Sequence, residues 1–476
     1  MPDILIVILA VIFVLGVAIN IHEFGHFLVA KFFGMRVEAY SFFGLGPRIW
    51  GFKYGHTDYR VSAIPLGAFV KLYGDEATAP LEGGSSEKNL DTFLDERNIG
   101  KAEAGKGAAS YVVPNSELYE LRPRWQKFLV MLGGPFMNIV LALAIPFAIA
   151  LTYGVPSMPA PIVGIVKTGG AADQAGIKVG DRIVKFDGKE NPTWGEIHDN
   201  AMISPDKEIA VVIDRGGQRI PLTVKPAKES IDGNAIGEIG LVPDAGVEPV
   251  EVGVIKEGWP AAESGLQVGD NVTAFNGRTV HNSQELSNQI KENKDQPARL
   301  TIDRNGERKE IETHAKLDDD GVYRIGINFS AANITTTEKV GVSQAAVYAF
   351  DSNVRIISLT GKVFGQMFSG QRSVKDAGLA GPVGIVQIIS KVVREAGFGG
   401  LVMILGVISL NLGVFNLLPI PLLDGGQILV LGIEKVMSWF GRTLSMAWKE
   451  RIQLTGLAVI LLLMVFVMYL DISKFF

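Results

Sequence analysis

The feature that most narrows what this chain can become lies at its start. From Ile4 to Phe33 the only clearly polar or charged side chains are Asn20, His22, Glu23, His26 and Lys31. About 20 apolar residues in a helix cross the ~30 Å hydrocarbon core of a bilayer, so the run predicts a membrane span over 1–34. A cleaved signal peptide would have a basic start and a shorter apolar stretch, whereas this chain opens Met1-Pro2-Asp3 and runs too long. Three further stretches read the same way: 123–153, behind the basic flank Arg122-Pro123-Arg124; 398–434; and 454–471. The third contains Pro419-Ile420-Pro421. Proline removes a donor and clashes with the preceding turn, so a helix ending near Leu418, an irregular turn and a second, partly buried segment are expected there.

Sidedness follows from flanking Lys and Arg, which stay in the cytoplasm. Lys31, Arg36, Arg122, Arg124 and Lys127 lie around the loop between the first two spans, and Lys435, Arg442, Lys449 and Arg451 between the last two. Loops 35–122 and 435–453 are therefore expected inside, with both termini and the large region between the second and third spans outside. Lys391 and Arg394 run against the rule but are outweighed. The 476 residues are 47% hydrophobic and 20% charged, an average that hides apolar spans set against a polar outer region. There is no cysteine, which excludes disulfides, thiolate metal sites and a cysteine nucleophile. A net charge of −5 gives no reason to expect nucleic acid.

Within the first span stands His22-Glu23-Phe24-Gly25-His26. On a helix, residues four apart share a face, so both imidazoles can bind one Zn²⁺ with the intervening Glu as general base. Ionisable groups inside a span cost about 2.5–3.5 kcal/mol each on insertion scales and mark function by default; a polar cap in water is the bland alternative. A catalytic zinc site takes three protein ligands and keeps a position open. His56, His198, His281 and His314 sit in polar segments, and Asp424 is the acid inside the third apolar stretch. Traced through the membrane, Asp424 and the histidine motif reach the same depth, so Asp424 is the expected third ligand.

The outer region repeats itself. Gly169–Gly188 and Gly258–Gly277 align at an offset of about 89 residues, with Gly176/Gly265, Gly180/Gly269, Asp181/Asp270 and Phe186/Phe275 coinciding. Apolar alternation broken by Gly-Asp and Asp-Gly or Asn-Gly turns reads as short strands. The pattern resembles bacterial PDZ domains, two in tandem over 156–228 and 244–317. PDZ domains add an extended peptide as a strand. By that resemblance Gly164 and Ile165, within Val163–Val166, and Gly253 and Val254, within Val252–Ile255, border the two grooves; modules that only space or filter by size remain the alternative.

Taken together, the His22–His26 motif, the run Asn416-Leu-Leu-Pro419-Ile-Pro421-Leu-Leu-Asp424-Gly-Gly and the paired modules resemble the site-2 protease family along nearly the whole chain. The resemblance implies a zinc metalloendopeptidase of the bacterial inner (cytoplasmic) membrane, with its active site toward the cytoplasmic half of the bilayer. Implied substrates are single-span membrane proteins, typically an anti-sigma factor of the envelope stress response already trimmed on its outer side, and signal-peptide remnants. It gives Asn416 the role of holding an unwound substrate and Pro419 that of shaping the turn; an ordinary interhelical hydrogen bond is the other reading of Asn416. Tyr59–Tyr73, part of a β-hairpin expected over about 57–75, becomes the membrane-reentrant β-loop, with Gly67 and Phe69 on its substrate side and Ser41–Ile49 as a neighbouring strand. A cytoplasmic surface hairpin is its bland counterpart.

The expected architecture is thus a polytopic α-helical membrane protein. It has four transmembrane helices, a membrane-associated β-hairpin and two extracytoplasmic β-rich PDZ domains. Residues 82–107 read as a flexible insertion. Residues 338–396 read as amphipathic helices on the outer face, in a gate or packed on the PDZ pair. The rival is a non-catalytic PDZ membrane scaffold or receptor with a structural metal, against which Glu23 argues, because a structural site needs no base.

Overall fold

The computed structural model describes residues 2–65, 67–73, 114–156, 159–231, 234–244, 250–256, 258–280, 283–318, 321–329, 337–374, 376, 380–442 and 445–473. The insertion expected at 82–107 lies outside the described residues. The chain divides into two compact units, Met1–Val155 with Lys339–Phe476, and Pro156–Glu338.

Helix α1, Pro2–Phe32, contains no proline after its first residue. It stops where Gly34 turns to φ 68°. Gly34 N–H then reaches Lys31 O at 3.0 Å and Met35 N–H reaches Ala30 O at 2.9 Å, the two bonds of a Schellman cap. Four strands follow: β1 Val37–Ser41, β2 Leu45–Tyr54, β3 Thr57–Ile64 and β4 Phe69–Leu72. They form one sheet in the order β2-β3-β1-β4, which differs from the hairpin expected over 57–75. The hairpin is β2–β3, closed between Tyr54 and Thr57 with Gly55 at φ 60°, the position where tight hairpin turns take glycine. β3 and β4 do not pair with each other. β1 lies between them, parallel to β3 and antiparallel to β4, because Pro65 ends β3 and cannot continue a ladder. The segment expected as one strand, Ser41–Ile49, is divided between β1 and β2 at Gly44, φ 104°.

Helix α2, Arg124–Tyr153, carries Pro135 and Pro146 and crosses α1 closely. A Cβ on Gly25 would overlap the Gly133 carbonyl, so only small residues allow this approach, as is usual between membrane helices.

The second unit holds two modules built alike. The first comprises β5 Val163–Val166, α3 Ala171–Gln174, β6 Arg182–Phe186, α4 Trp194–Met202, β7 Ile209–Arg215, β8 Gln218–Val224, β9 Ala227–Ile231, β10 Asn234–Glu238 and β11 Leu241–Pro243. The second comprises β12 Val250–Ile255, α5 Pro260–Glu263, β13 Asn271–Phe275, α6 Ser283–Asn293, β14 Ala298–Arg304, β15 Glu307–Thr313 and β16 Ile327–Phe329. Each wraps an apolar core, around Ile183, Phe186, Ile197 and Ile213 in the first and Val272, Leu286, Leu300 and Ile302 in the second. Each buries one aspartate under a two-pronged arginine: Asp181 with Arg215, and Asp270 with Arg304, at 2.6–2.7 Å. The strands that complete the modules, β11 and β16, lie beyond the expected boundaries at 228 and 317. They pair back on β5 and β12.

The chain then returns to the first unit. Helix α7, Val342–Phe368, packs on α2: Ala345, Ala349 and Asn353 are buried, and Asn353 Nδ2 donates to Ala142 O at 3.0 Å. Helix α8, Pro382–Asn416, is broken at Gly397 (φ 59°, ψ −147°), so its second half starts where the third apolar stretch was expected to begin. After an irregular turn with Leu422 at φ 79°, α9 runs Asp424–Trp439 and α10 runs Met446–Ser473. The loop expected at 435–453 is therefore largely helix. Among the described residues, four segments are long and apolar enough to cross a membrane: Ile4–Phe32, Arg124–Tyr153, Pro382–Asn416 and Arg451–Asp471. Ala10, Val14 and Ala18 of α1 pack with Leu401 and Leu405 of α8, and this contact brings the end of α8 beside α1.

Candidate metal centre

His22 and His26 sit one turn apart on α1, their rings edge to face with centroids 4.8 Å apart. Asp424, first residue of α9, reaches both: Oδ2 is 3.1 Å from His22 Nε2 and Oδ1 is 3.4 Å from His26 Nε2. The two Nε2 atoms are 3.2 Å apart, and ligand atoms of all three residues lie within 4.8 Å of one another. His22 is 7% and Asp424 9% exposed, so the cluster has little water to screen it.

The far side of each ring is held. His26 Nδ1 lies 2.8 Å from Val130 O. A carbonyl only accepts, so Nδ1 carries the hydrogen and the neutral ring turns an Nε2 lone pair toward the cluster. His22 Nδ1 meets the buried Asn138 amide at 3.2 Å. Ser409 Oγ donates to Asn138 O at 3.0 Å and lies 3.3 Å from its Oδ1. Gly134 lets α2 lie against the rings: a Cβ there would stand 2.8 Å from His22 Cε1. Asp424 Oδ2 is buried with no hydrogen-bond donor. Two imidazole nitrogens and a carboxylate converge in a dry place, and two nitrogens with one carboxylate oxygen suit zinc. Val130 O matches the outer acceptor that orients a ligand histidine at such sites, while Asn138, through Nδ2, and Ser409 back the far side of His22.

Glu23 accepts Val70 N–H at 3.1 Å. Val70 is opposite Tyr40 in the β1–β4 register, and its bond to Glu23 shows its amide turned away from β1, toward the edge of β4 that pairs with no strand among the described residues. Asn416, last residue of α8, lies with Nδ2 3.3 Å from His22 Nε2 and joins the cluster. The tight turn after it admits little bulk, since a Cβ on Gly425 or Gly426 would strike the Leu417 or Ile420 carbonyl. Pro419 is exposed within that turn. Gly67, φ 97°, accepts Gly44 N–H at 2.8 Å through its carbonyl, and Phe69 lies under the Arg60 guanidinium at 4.7 Å. Neither residue is seen to touch the cluster; the sheet residue that touches Glu23 is Val70. His56, His198 and His314 are exposed, and His281 lies outside the described residues.

The expected groove residues need correction. Gly164 and Ile165 lie on β5, which already pairs with β11 through Val163, Ile165 and Val166. Gly253 and Val254 lie on β12, which pairs with β13 at one end and with β16 through Val252–Ile255. A strand engaged this way cannot accept a peptide along that edge. Among the described residues β16 ends its sheet, and β11 forms a two-stranded sheet with β5, whose other side is taken by Val163 N–H to Asp181 O and Gly180 N–H to Val163 O; the edges left open are those of β11 and β16.

The model of peptidase family M50 matches residues 10–463. A Yersinia pestis protein named Protease RseP is 29% identical over 464 residues, covering 92% of each chain. The Salmonella typhimurium Regulator of sigma-E protease RseP is 28% identical and covers 90% of each. A candidate zinc metalloprotease of Neisseria meningitidis serogroup A is 28% identical over 98% of this chain and 99% of its own. Among solved structures, the PDZ domain of an SdrC-like protein from Listeria monocytogenes is 24% identical, covers 18% of this chain and 93% of its own, with a TM-score of 0.17.

Proposed function

The chain belongs to peptidase family M50, the site-2 proteases, and from that premise we propose that it cuts the membrane-spanning segments of single-span proteins. It is a metalloprotease and its cofactor is zinc. The observation that carries the finer reading is the convergence of His22, His26 and Asp424 on helices otherwise apolar enough to span a bilayer. These three would hold the metal. When bound, zinc supplies Lewis acidity toward a water and the scissile carbonyl.

The rest of the chemistry falls to the chain. Glu23 takes the proton of the attacking water and passes it to the leaving amine. Val70 N–H restrains the Glu23 carboxylate. A helical substrate hides its backbone in its own hydrogen bonds, so it must be drawn out before cleavage. The free edge of β4 offers backbone partners to such an extended segment, and the Asn416 amide offers a donor and an acceptor close to the ligands. The small, apolar contact of α1 with α2 excludes bulk water from the ligand histidines.

Flanking Lys and Arg support an inner-membrane protein with both termini and the repeated modules outside. The aligned repeat and the equivalent strand pairings support two PDZ modules, with peptide-binding edges at β11 and β16. An anti-sigma factor trimmed on its outer side, and signal-peptide remnants, are the proposed substrates. Expression of Glu23→Gln beside a tagged single-span substrate tests the proposal: zinc retained and cleavage lost by about 10²-fold or more is expected, whereas cleavage persisting with zinc bound would overturn it.

A further inference from the structure

The two outer modules present the same loop, with a glutamate before it in the first and an arginine in the second. In the first, Ala172 N–H donates to Ile239 O and Lys167 N–H to Gly240 O; in the second, Ala261 N–H donates to Ile325 O and Lys256 N–H to Gly326 O. These bonds match Gly240 to Gly326. Both glycines have positive φ, 73° and 85°, just before an open-edged strand. Backbone amides in a loop that turns left-handed point together and form an anion-binding nest. In the first module the Gly240 amide is already engaged: Glu238 Oε1 accepts Gly240 N–H at 2.7 Å. Glu238 closes β10, fixed opposite Ala227, so its side chain is delivered there by the sheet register.

The residue matching Glu238 in the second module is Arg324, whose guanidinium turns to Asp318 at 2.6 Å. Trp259 packs against Gly326, and Lys256 and Lys316 lie 4.6 Å and 5.8 Å over the Trp259 ring.

We propose that Glu238 is a built-in carboxylate plug on the edge groove of the first module. The first module then takes a peptide's C-terminal carboxylate only when Glu238 leaves the Gly240 amide, whereas the second is free to take one directly. This rests on the reading of both as strand-adding peptide modules. An incoming carboxylate competes for the same amide hydrogen that Glu238 holds, and competition by a tethered group suppresses weak ligands first.

The test uses the full-length protein in detergent. A photo-crosslinking residue is placed at Val242 on β11 or at Asn328 on β16, and the probe is a fluorescent octapeptide ending in a free C-terminal leucine or its amide. With Glu238 intact, the free-carboxylate peptide should label position 328 well and position 242 poorly. Glu238→Ala should raise labelling at 242 about tenfold or more, from the loss of one charge-assisted hydrogen bond. Glu238→Gln, which keeps the shape, should raise it less. The amidated peptide should label neither position. Labelling at 328 with no rise at 242 in either variant would overturn the plug and leave the module reading standing. Labelling at neither position in any variant would overturn both. An equal rise with the amidated peptide would also refute the plug, since the opened edge would then not be selecting a carboxylate.

Discussion

At the scale of residues, the site depends on groups that never touch the metal. Asn138 holds the far nitrogen of His22 and is itself held by Ser409. Asn138→Ala should weaken zinc binding by about 10–100-fold, measured by chelator competition, while the chain still folds. Val70→Pro removes the amide hydrogen that Glu23 accepts, and proline is tolerated where an edge N–H faces outward. Cleavage should fall by about tenfold or more with zinc content unchanged; full activity would show that the contact does not position the base. Glu23, His22 and His26 were legible in the sequence because helical periodicity is local, and Asp424 because depth in the membrane limits its position. Asn138 was not, since one asparagine in an apolar helix reads equally as interhelical glue. Val70 was hidden because its role depends on which strand lies beside β4.

Among the elements, the crossing of α1 and α2 is the most demanding. Gly25 against Gly133, and Gly134 against both histidines, leave no room for a Cβ. Gly134→Val should displace α2 from the rings and abolish both zinc binding and cleavage, a loss read by metal analysis. Retained zinc would place the crossing outside the site's support. Long apolar helices and their breaks were readable, including the turn around Pro419 and Pro421, because apolar length and proline act on neighbouring residues. Sheet order was not. A strand β1 inserted between the sequence-adjacent β3 and β4, parallel to β3, leaves no local signature, and Tyr59–Tyr73 reads as a hairpin for that reason. The groove strands were misplaced for a related one: the repeat aligns best on β5 and β12, while the open edges arrive at the end of each module.

For the whole molecule, the two units answer to different conditions. Each module of the second unit buries an aspartate. Burial alone would raise its pKa, but hydrogen bonds from Arg215 or Arg304, with backbone N–H of Lys178 or Gln267, hold it below the usual carboxylate range. A depressed folded pKa adds stability above the ordinary carboxylate value, lost as pH falls through the depressed one. Thermal unfolding of the modules should therefore shift downward below about pH 4, and Arg215→Met should remove much of that pH dependence in the first; an unchanged acid profile would contradict it. The division into an apolar helical unit and a unit of repeated modules is visible from the apolar runs and the repeat alone. The central claim is that His22, His26 and Asp424 together hold one catalytic zinc. Its most direct measurement is the zinc content of the purified chain, of Asp424→Ala and of Glu23→Gln, each assayed for cleavage of the same single-span substrate. The account expects about one zinc per chain in the native protein and in Glu23→Gln, cleavage only in the native protein, and neither zinc nor cleavage in Asp424→Ala. Undiminished zinc and cleavage in Asp424→Ala would contradict it.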